Sequence, residues 1–138
     1  VQERCLERLQ PGTTLQALQA VCEQASCEVL LDLGLVHGTL EEVLEEGRHK
    51  RYFCHAVGHS IGLDVHDPMA KDTELTENMV VTVEPGLYIP AEDDSVPEGF
   101  RGIGVRIEDM VVLTKDSNRV MSSDLEKSAA AIEQLSRG

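Results

Sequence analysis

Basic residues are scarce in this chain of 138 residues, which has 12 lysines and arginines against 25 aspartates and glutamates. The formal net charge of −13 repels nucleic acids and anionic membranes, and it favours cationic ligands such as metal ions and free amino termini. Long apolar runs are also missing, since no stretch approaches the roughly 20 residues of a membrane-spanning helix. We therefore expect a soluble protein with no nucleic-acid or membrane partner.

The four cysteines do not show the spacing of a disulfide framework. Most lie within apolar helical patterns, where a buried reduced thiol is the usual state, so a reducing compartment fits best. Cys22 and Cys27 have no second pair that would complete a tetrahedral metal site. With 41% apolar residues the chain can bury one core, and its start at Val1 leads us to expect a fragment or a processed product.

Helical signals dominate the first part of the chain. Apolar residues recur at four-residue steps over residues 1–9, which predicts a first helix. A capping box, in which Thr13 and Gln16 bond each other's backbone, opens a second amphipathic helix that ends at Gly34. A second box, Thr39 with Glu42, predicts a short acidic helix.

The second part of the chain reads as a sheet followed by a helix. β-branched runs predict strands at Met79–Val83, Gly86–Ile89 and Ile103–Thr114, with an acidic loop at Pro90–Gly102. A capping box at Ser123 predicts the start of a last helix. The apolar face of that helix would consist of Leu125, Ala129, Ile132 and Leu135.

Two strands carry charged residues on faces that should be covered. The period of two places Glu84 on the face of Val80 and Thr82, and it places Arg106 and Glu108 together, opposite an apolar face. A buried, unpaired carboxylate costs several kcal/mol, so each glutamate must be paired, protonated or bound to a metal. An ion pair with Arg106 is the simplest account. The apolar face opposite consists of Ile103, Val105, Ile107, Val111 and Leu113.

Three histidines, His55, His59 and His66, make a metal site the stronger alternative. They lie in a glycine-rich segment, in which Gly58 and Gly62 argue against a helix and for a close approach to the backbone. Imidazole combined with carboxylates suits Mn, Fe, Co or Zn.

Three motifs, at His55–Asp67, Val83–Ile89 and Gly102–Asp109, resemble in order and spacing those of aminopeptidase P in the pita-bread metallopeptidase family. The resemblance covers essentially the whole chain. It implies an α+β fold in which helices pack on a mainly antiparallel, curved sheet. Residues 1–138 would then be the C-terminal half of the catalytic domain, with the upstream half missing.

The resemblance also implies a metalloaminopeptidase that removes the first residue of peptides with proline in second position. His59, Glu84 and Glu108 would hold two divalent ions, with manganese expected and cobalt or zinc as alternatives. A bridging hydroxide would attack the peptide, and Glu84 would shuttle its proton. His66 would orient the carbonyl as a catalytic and substrate-binding residue, and His55 and Arg106 would lie near the proline. Tyr88 is a weaker candidate for contact with the substrate. The resemblance leaves open whether the protein forms a homo-oligomer.

The chain departs from the family pattern because two aspartate ligands are absent. Asp32, Asp64, Asp67 and Asp72 do not stand in the expected context, so we expect this chain alone to be inactive and to expose apolar surface. Prolidase and a non-catalytic peptide-binding or protein-binding module of the same fold are the alternatives. The acidic loop Glu92–Arg101 resembles those of bacterial and mitochondrial members, which favours a mitochondrial or cytoplasmic location.

Overall fold

The computed structural model describes residues 1–137, which form four α-helices and five β-strands. The helices are α1 (Gln2–Arg8), α2 (Leu15–Asp32), α3 (Leu40–Glu45) and α4 (Ala129–Ser136). The strands are β1 (Val80–Val83), β2 (Gly86–Tyr88), β3 (Gly104–Arg106), β4 (Asp109–Leu113) and β5 (Asn118–Val120). All strand pairs are antiparallel, as predicted.

Helix α2 begins one residue later than the predicted capping box. The hydroxyl of Thr14, and not that of Thr13, accepts a hydrogen bond from the backbone N–H of Ala17 at 3.0 Å. Thr13 instead donates its hydroxyl to the carbonyl of Arg8 at the end of α1. The predicted end is confirmed, because Gly34 follows the helix with a φ of 68°, a left-handed conformation that glycine adopts without strain.

The second predicted capping box is confirmed at the start of α3. The backbone N–H of Thr39 donates to the Glu42 carboxylate at 2.8 Å, and the N–H of Glu42 donates to the Thr39 hydroxyl at 3.2 Å. These two bonds satisfy N–H groups that the first turn of a helix leaves without partners.

Helix α2 contributes to two apolar cores. Its first half packs against the three-stranded sheet, and its second half packs against Tyr52 and the loop after β2. Full burial of each leucine or valine in these cores stabilises the fold by about 1.5–3 kcal/mol. The first core includes Leu15, Leu18, Cys22, Val81, Val83, Val111 and Leu113, and the second includes Cys27, Leu30, Val43, Tyr52, Ile89 and Val96.

The strands form a three-stranded sheet in the order β1, β4, β5 and a separate pair of β2 with β3. The prediction of one strand over residues 103–114 is therefore wrong, because the chain leaves one sheet and enters the other at Ile107 and Glu108. Pro85 supplies the physical reason, since it separates β1 from β2 and cannot donate to a ladder. Its carbonyl accepts the N–H of Ile107 at 3.3 Å.

This division also corrects the predicted apolar face of that strand. Val111 and Leu113 are fully buried, as predicted, but Ile103 is 47% exposed and Val105 is 52% exposed. The short strand β5 was not predicted, because its residues are mostly polar and carry no period of two.

The C-terminal segment differs from the prediction at its start. Helix α4 is capped by Ser128, not by Ser123, and Ile132 is exposed. The buried carboxylate of Asp109 explains the later start, because it binds the hydroxyl of Ser122 at 2.5 Å and the ammonium group of Lys127 at 3.1 Å. The same ammonium group donates to two carbonyls of this segment, so the chain folds around Lys127 before the helix begins.

A buried carboxylate, that of Asp93, anchors the acidic loop between β2 and β3. It accepts hydrogen bonds from the hydroxyl of Ser95 and, at 3.0 Å, from the hydroxyl of Tyr52, and it pairs with Arg51 at 2.8 Å. The bond from Ser95 is the main cause that lowers the pKa of the Asp93 carboxyl below its usual range, and Tyr52 and Arg51 add to it.

We expect Asp93 to make the fold acid-sensitive. Its pKa is lower in the folded chain than the value of about 3.9 in the unfolded chain. The stabilisation is therefore present above pH 4 and is lost as the pH falls through the folded value. Urea unfolding should show Asp93→Asn to be less stable than the parent at pH 7, with a gap that narrows below pH 4. The exposed neighbour Asp94, changed to Asn, is the control, and a gap independent of pH would contradict the prediction.

Apolar surface is exposed in the described part of the chain, as predicted. The exposed large apolar side chains include Leu63, Val65, Ile103, Val105, Met110, Met121, Leu125 and Leu135.

Between residues 1 and 137, no helix is long and apolar enough to cross a membrane.

Candidate metal centre

The histidine-containing segment lies along the edge of β1 that β4 leaves free. The backbone N–H of Thr82 donates to the carbonyl of His59 at 2.9 Å, and the N–H of Glu84 donates to the carbonyl of Val57 at 2.7 Å. The segment is thereby held against the strand by the same bonds that join strands of a sheet. This pairing places the side chain of His59 beside that of Glu84.

Glycine is required where the segment meets the strand. A Cβ atom added to Gly58 would lie 1.9 Å from the backbone oxygen of Thr82, well inside van der Waals contact. A Cβ atom added to Gly62 would lie 2.5 Å from the Asp67 carboxylate. The prediction that these two glycines mark close approaches is confirmed at both positions.

His59, Glu84 and Glu108 converge at the end of β1. Each offers one ligand atom, and these atoms all lie within 4.8 Å of one another. Nε2 of His59 is 3.3 Å from Oε1 of Glu84, and their side chains are 24% and 12% exposed, whereas Glu108 is exposed to solvent. The structure thus brings together the three side chains that were predicted to bind metal.

This donor set fits a divalent ion. One imidazole nitrogen and two carboxylate oxygens suit Mn, Fe, Co or Zn, and three protein ligands leave positions open for water or substrate. The Nδ1 atom of His59 faces the carbonyl of Ser60 at 3.0 Å, which directs Nε2 towards the two carboxylates. Within residues 1–137, these three residues are the only group of this kind.

Arg106 forms the ion pair that the sequence left as an alternative. Its guanidinium lies 3.5 Å from Oε2 of Glu84, and its side chain is 46% exposed, so solvent screens the attraction. Oε1 of Glu84 faces His59 at the same time. The ion pair and the metal-binding arrangement are therefore compatible, because they use different oxygens of one carboxylate.

The hydroxyl of Tyr88 joins two of the predicted substrate-binding residues. It lies 2.9 Å from Nε2 of His55 and accepts a hydrogen bond from Nε of Arg106 at 2.5 Å. Nδ1 of His55 faces the carbonyl of Ala56 at 2.8 Å, which assigns the proton to Nδ1 and leaves Nε2 to accept from the tyrosine. The bond to Tyr88 raises the pKa of Arg106 above its usual value, so the guanidinium stays charged.

His66 lies beside the proposed ligand His59. It is exposed, and its ring packs edge to face against that of His59 with centroids 4.2 Å apart. The predicted substrate-binding residues thus form two groups, with His66 beside His59 and with His55 beside Tyr88 and Arg106.

The sequence does not indicate that two neighbouring polar residues, Thr82 and Gln19, belong to the site. The buried Thr82 bonds to both His59 and Glu84, and only its period-two relation to Glu84 was visible in the sequence. Gln19, on α2, accepts the backbone N–H of Val57 at 2.6 Å and also lines an open cleft of about 740 Å³ that reaches His55. No local pattern could place Gln19 there, because 38 positions separate it from Val57.

The thiols of α2 are poor candidates for metal ligands. Burial raises the pKa of Cys27 to about 11, and a hydrogen bond with Cys5, together with burial, raises the pKa of Cys22 further. Both thiols therefore stay protonated at neutral pH, whereas metal binding needs the thiolate.

Residues 1–115 match metallopeptidase family M24. The chain belongs to this family. Rat Xaa-Pro aminopeptidase 3 is 42% identical over 137 residues, which are 98% of this chain and 27% of that protein. Xaa-Pro aminopeptidase of Haemophilus influenzae is 38% identical over 138 residues, covering 97% of this chain and 32% of that protein.

Solved structures of aminopeptidase P have the fold of this M24 chain. Aminopeptidase PepP of Pseudomonas aeruginosa superposes with a TM-score of 0.92 at 32% identity, covering 97% of this chain and 31% of that one. Aminopeptidase P of Escherichia coli with the inhibitor Pro-Leu gives 0.89 at 37% identity, covering 96% of this chain and 31% of that one. The predicted α+β fold is therefore confirmed, and this M24 chain spans about a third or less of the proteins it matches.

Proposed function

We propose that the polypeptide that carries this chain is an Xaa-Pro aminopeptidase, which removes the first residue from peptides with proline in second position. The convergence of His59, Glu84 and Glu108 supports this proposal, together with the likeness to Xaa-Pro aminopeptidases over nearly the whole chain. The mammalian and bacterial relatives are compatible with a mitochondrial or a cytoplasmic location, which we keep as part of the proposal.

His59, Glu84 and Glu108 would hold two divalent ions, and we propose that both are manganese. Further ligands would come from outside residues 1–138. When bound, the ions would polarise the peptide carbonyl and lower the pKa of the attacking water. Because Glu84 already turns its oxygens to different partners, it can bind through one and move a proton with the other.

The remaining residues would handle the peptide. Glu84 would take a proton from the attacking water and deliver it to the proline nitrogen as the C–N bond breaks. His66, exposed at the rim of the centre, would donate a hydrogen bond to the peptide carbonyl. Tyr88 would hold His55 and Arg106 in one arrangement, and these two residues would contact the proline side of the substrate.

Hydrolysis of three peptides tests the proposal. The polypeptide, loaded with manganese, should release alanine from Ala-Pro-Ala, more slowly from Ala-Pro, and not from Ala-Ala-Ala. No release from any peptide with manganese or with cobalt would overturn the proposal. Preference for the dipeptide would instead indicate a prolidase, and metal and peptide binding without cleavage would indicate a non-catalytic module.

A further inference from the structure

Thr82 lies between two proposed metal ligands without being one itself. It is 2% exposed in the middle of β1, and its hydroxyl is 2.9 Å from the backbone nitrogen of His59 and 3.0 Å from Oε1 of Glu84. A backbone N–H can only donate, so the hydroxyl accepts from His59. Its single proton is then directed to Glu84.

The backbone makes this link rigid. The N–H of Thr82 also donates to the carbonyl of His59, so two hydrogen bonds join the two residues. Gly58 lets the histidine-containing segment come this close to β1, because a Cβ atom there would lie 3.1 Å from the Thr82 hydroxyl and 1.9 Å from the Thr82 backbone oxygen. Neither His59 nor β1 can shift without breaking these bonds.

The hydroxyl also distinguishes the two oxygens of Glu84. It bonds Oε1, the same oxygen that faces Nε2 of His59 at 3.3 Å, and Arg106 lies 3.5 Å from Oε2. The carboxylate is therefore held from both sides in the orientation that brings one oxygen to the imidazole. A carboxylate free to rotate would lose side-chain entropy when it binds an ion.

We propose that Thr82 is a positioning residue of the metal centre, whose hydroxyl sets the backbone of His59 and the carboxylate of Glu84 before an ion binds. The inference rests on the metal centre of the proposed function and is independent of the peptide substrate. Removal of a partner that orients a metal ligand in this way lowers the metal affinity about 10–100-fold.

Calorimetric titration of the polypeptide with Mn²⁺ tests the role of Thr82. Thr82→Val removes the hydroxyl and keeps the shape, and we expect manganese to bind about 10–100-fold more weakly. Thr82→Ser keeps the hydroxyl and should bind manganese about as tightly as the parent, a rescue that a role in packing alone would not produce. Thr114→Val is the matched control, because the Thr114 hydroxyl also accepts a backbone N–H, from Ser117, in a turn away from the site.

The outcomes separate positioning from a purely structural role. Unchanged manganese affinity in Thr82→Val, or equal weakening in Thr82→Ser, would overturn the inference. If Thr82→Val fails to fold, Thr82→Ala takes its place with the same expected loss, and the melting temperature without metal shows which variants are folded. A parent that binds no Mn²⁺, Co²⁺ or Zn²⁺ would overturn the metal centre and this inference together. A parent that binds manganese but cleaves no Xaa-Pro peptide would overturn only the proposed function.

Discussion

Glu108→Ala is expected to abolish high-affinity manganese binding and, with it, peptide hydrolysis. Removal of a residue that only orients a ligand costs about 10–100-fold in metal affinity, so loss of a proposed ligand itself should exceed 100-fold. Two donors, His59 and Glu84, would remain from this chain. Because Glu108 is exposed, the free energy of unfolding without metal should change by no more than about 0.5 kcal/mol.

Calorimetry with Mn²⁺ and release of alanine from Ala-Pro-Ala measure the two effects. Glu92→Ala is the matched control, since it removes one exposed carboxylate from the acidic loop and should leave both values unchanged. Manganese affinity in Glu108→Ala equal to that of the parent would show that Glu108 is an ordinary surface acid.

Gly58→Ala is expected to destabilise the fold and to weaken the metal site together. The new Cβ atom would lie 1.9 Å from the backbone oxygen of Thr82, which belongs to a strand and cannot rotate away. Overpacking a well-packed interior costs about 1–3 kcal/mol, and a clash with backbone should reach the upper end of that range. Separation of the segment from β1 would also move His59 away from Glu84.

Urea unfolding without metal and calorimetry with Mn²⁺ test this prediction. Gly99→Ala is the control, because a Cβ atom at Gly99 meets nothing within 4 Å and its φ is outside the left-handed range. A Gly58→Ala variant as stable as Gly99→Ala would contradict the close packing. Lower stability with unchanged manganese affinity would show that the site tolerates movement of this segment.

The helices of the first half could be predicted because their signals are local. The apolar period of α2, the glycine that follows it and the capping box of α3 act within one or two turns of the chain. The cap of α2 was misplaced by one residue, since adjacent threonines offer the same hydroxyl and only contact with Arg8 distinguishes them. Helix α4 was misplaced because Asp109, distant in the sequence, binds Lys127.

The strands were predicted less well because pairing is not local. Residues 103–114 have the alternation of one strand, and only the partner across the sheet, interrupted at Pro85, divides them into β3 and β4. The burial of Val111 and the exposure of Val105 follow from that division.

The sequence by itself determined the candidate site residues of this protein, because side-chain chemistry and motif spacing depend on the amino-acid sequence alone. The three motifs indicate His59, Glu84 and Glu108 as metal ligands, and they indicate His55, His66 and Arg106 as substrate-binding residues. Only the tertiary structure decided which of these residues meet: it joined His55 and Arg106 through the hydroxyl of Tyr88, a weaker candidate of the sequence, and it added the hydroxyl of Thr82 between His59 and Glu84. The physical reason is that hydrogen bonds reach about 3 Å in space, whatever the separation in sequence.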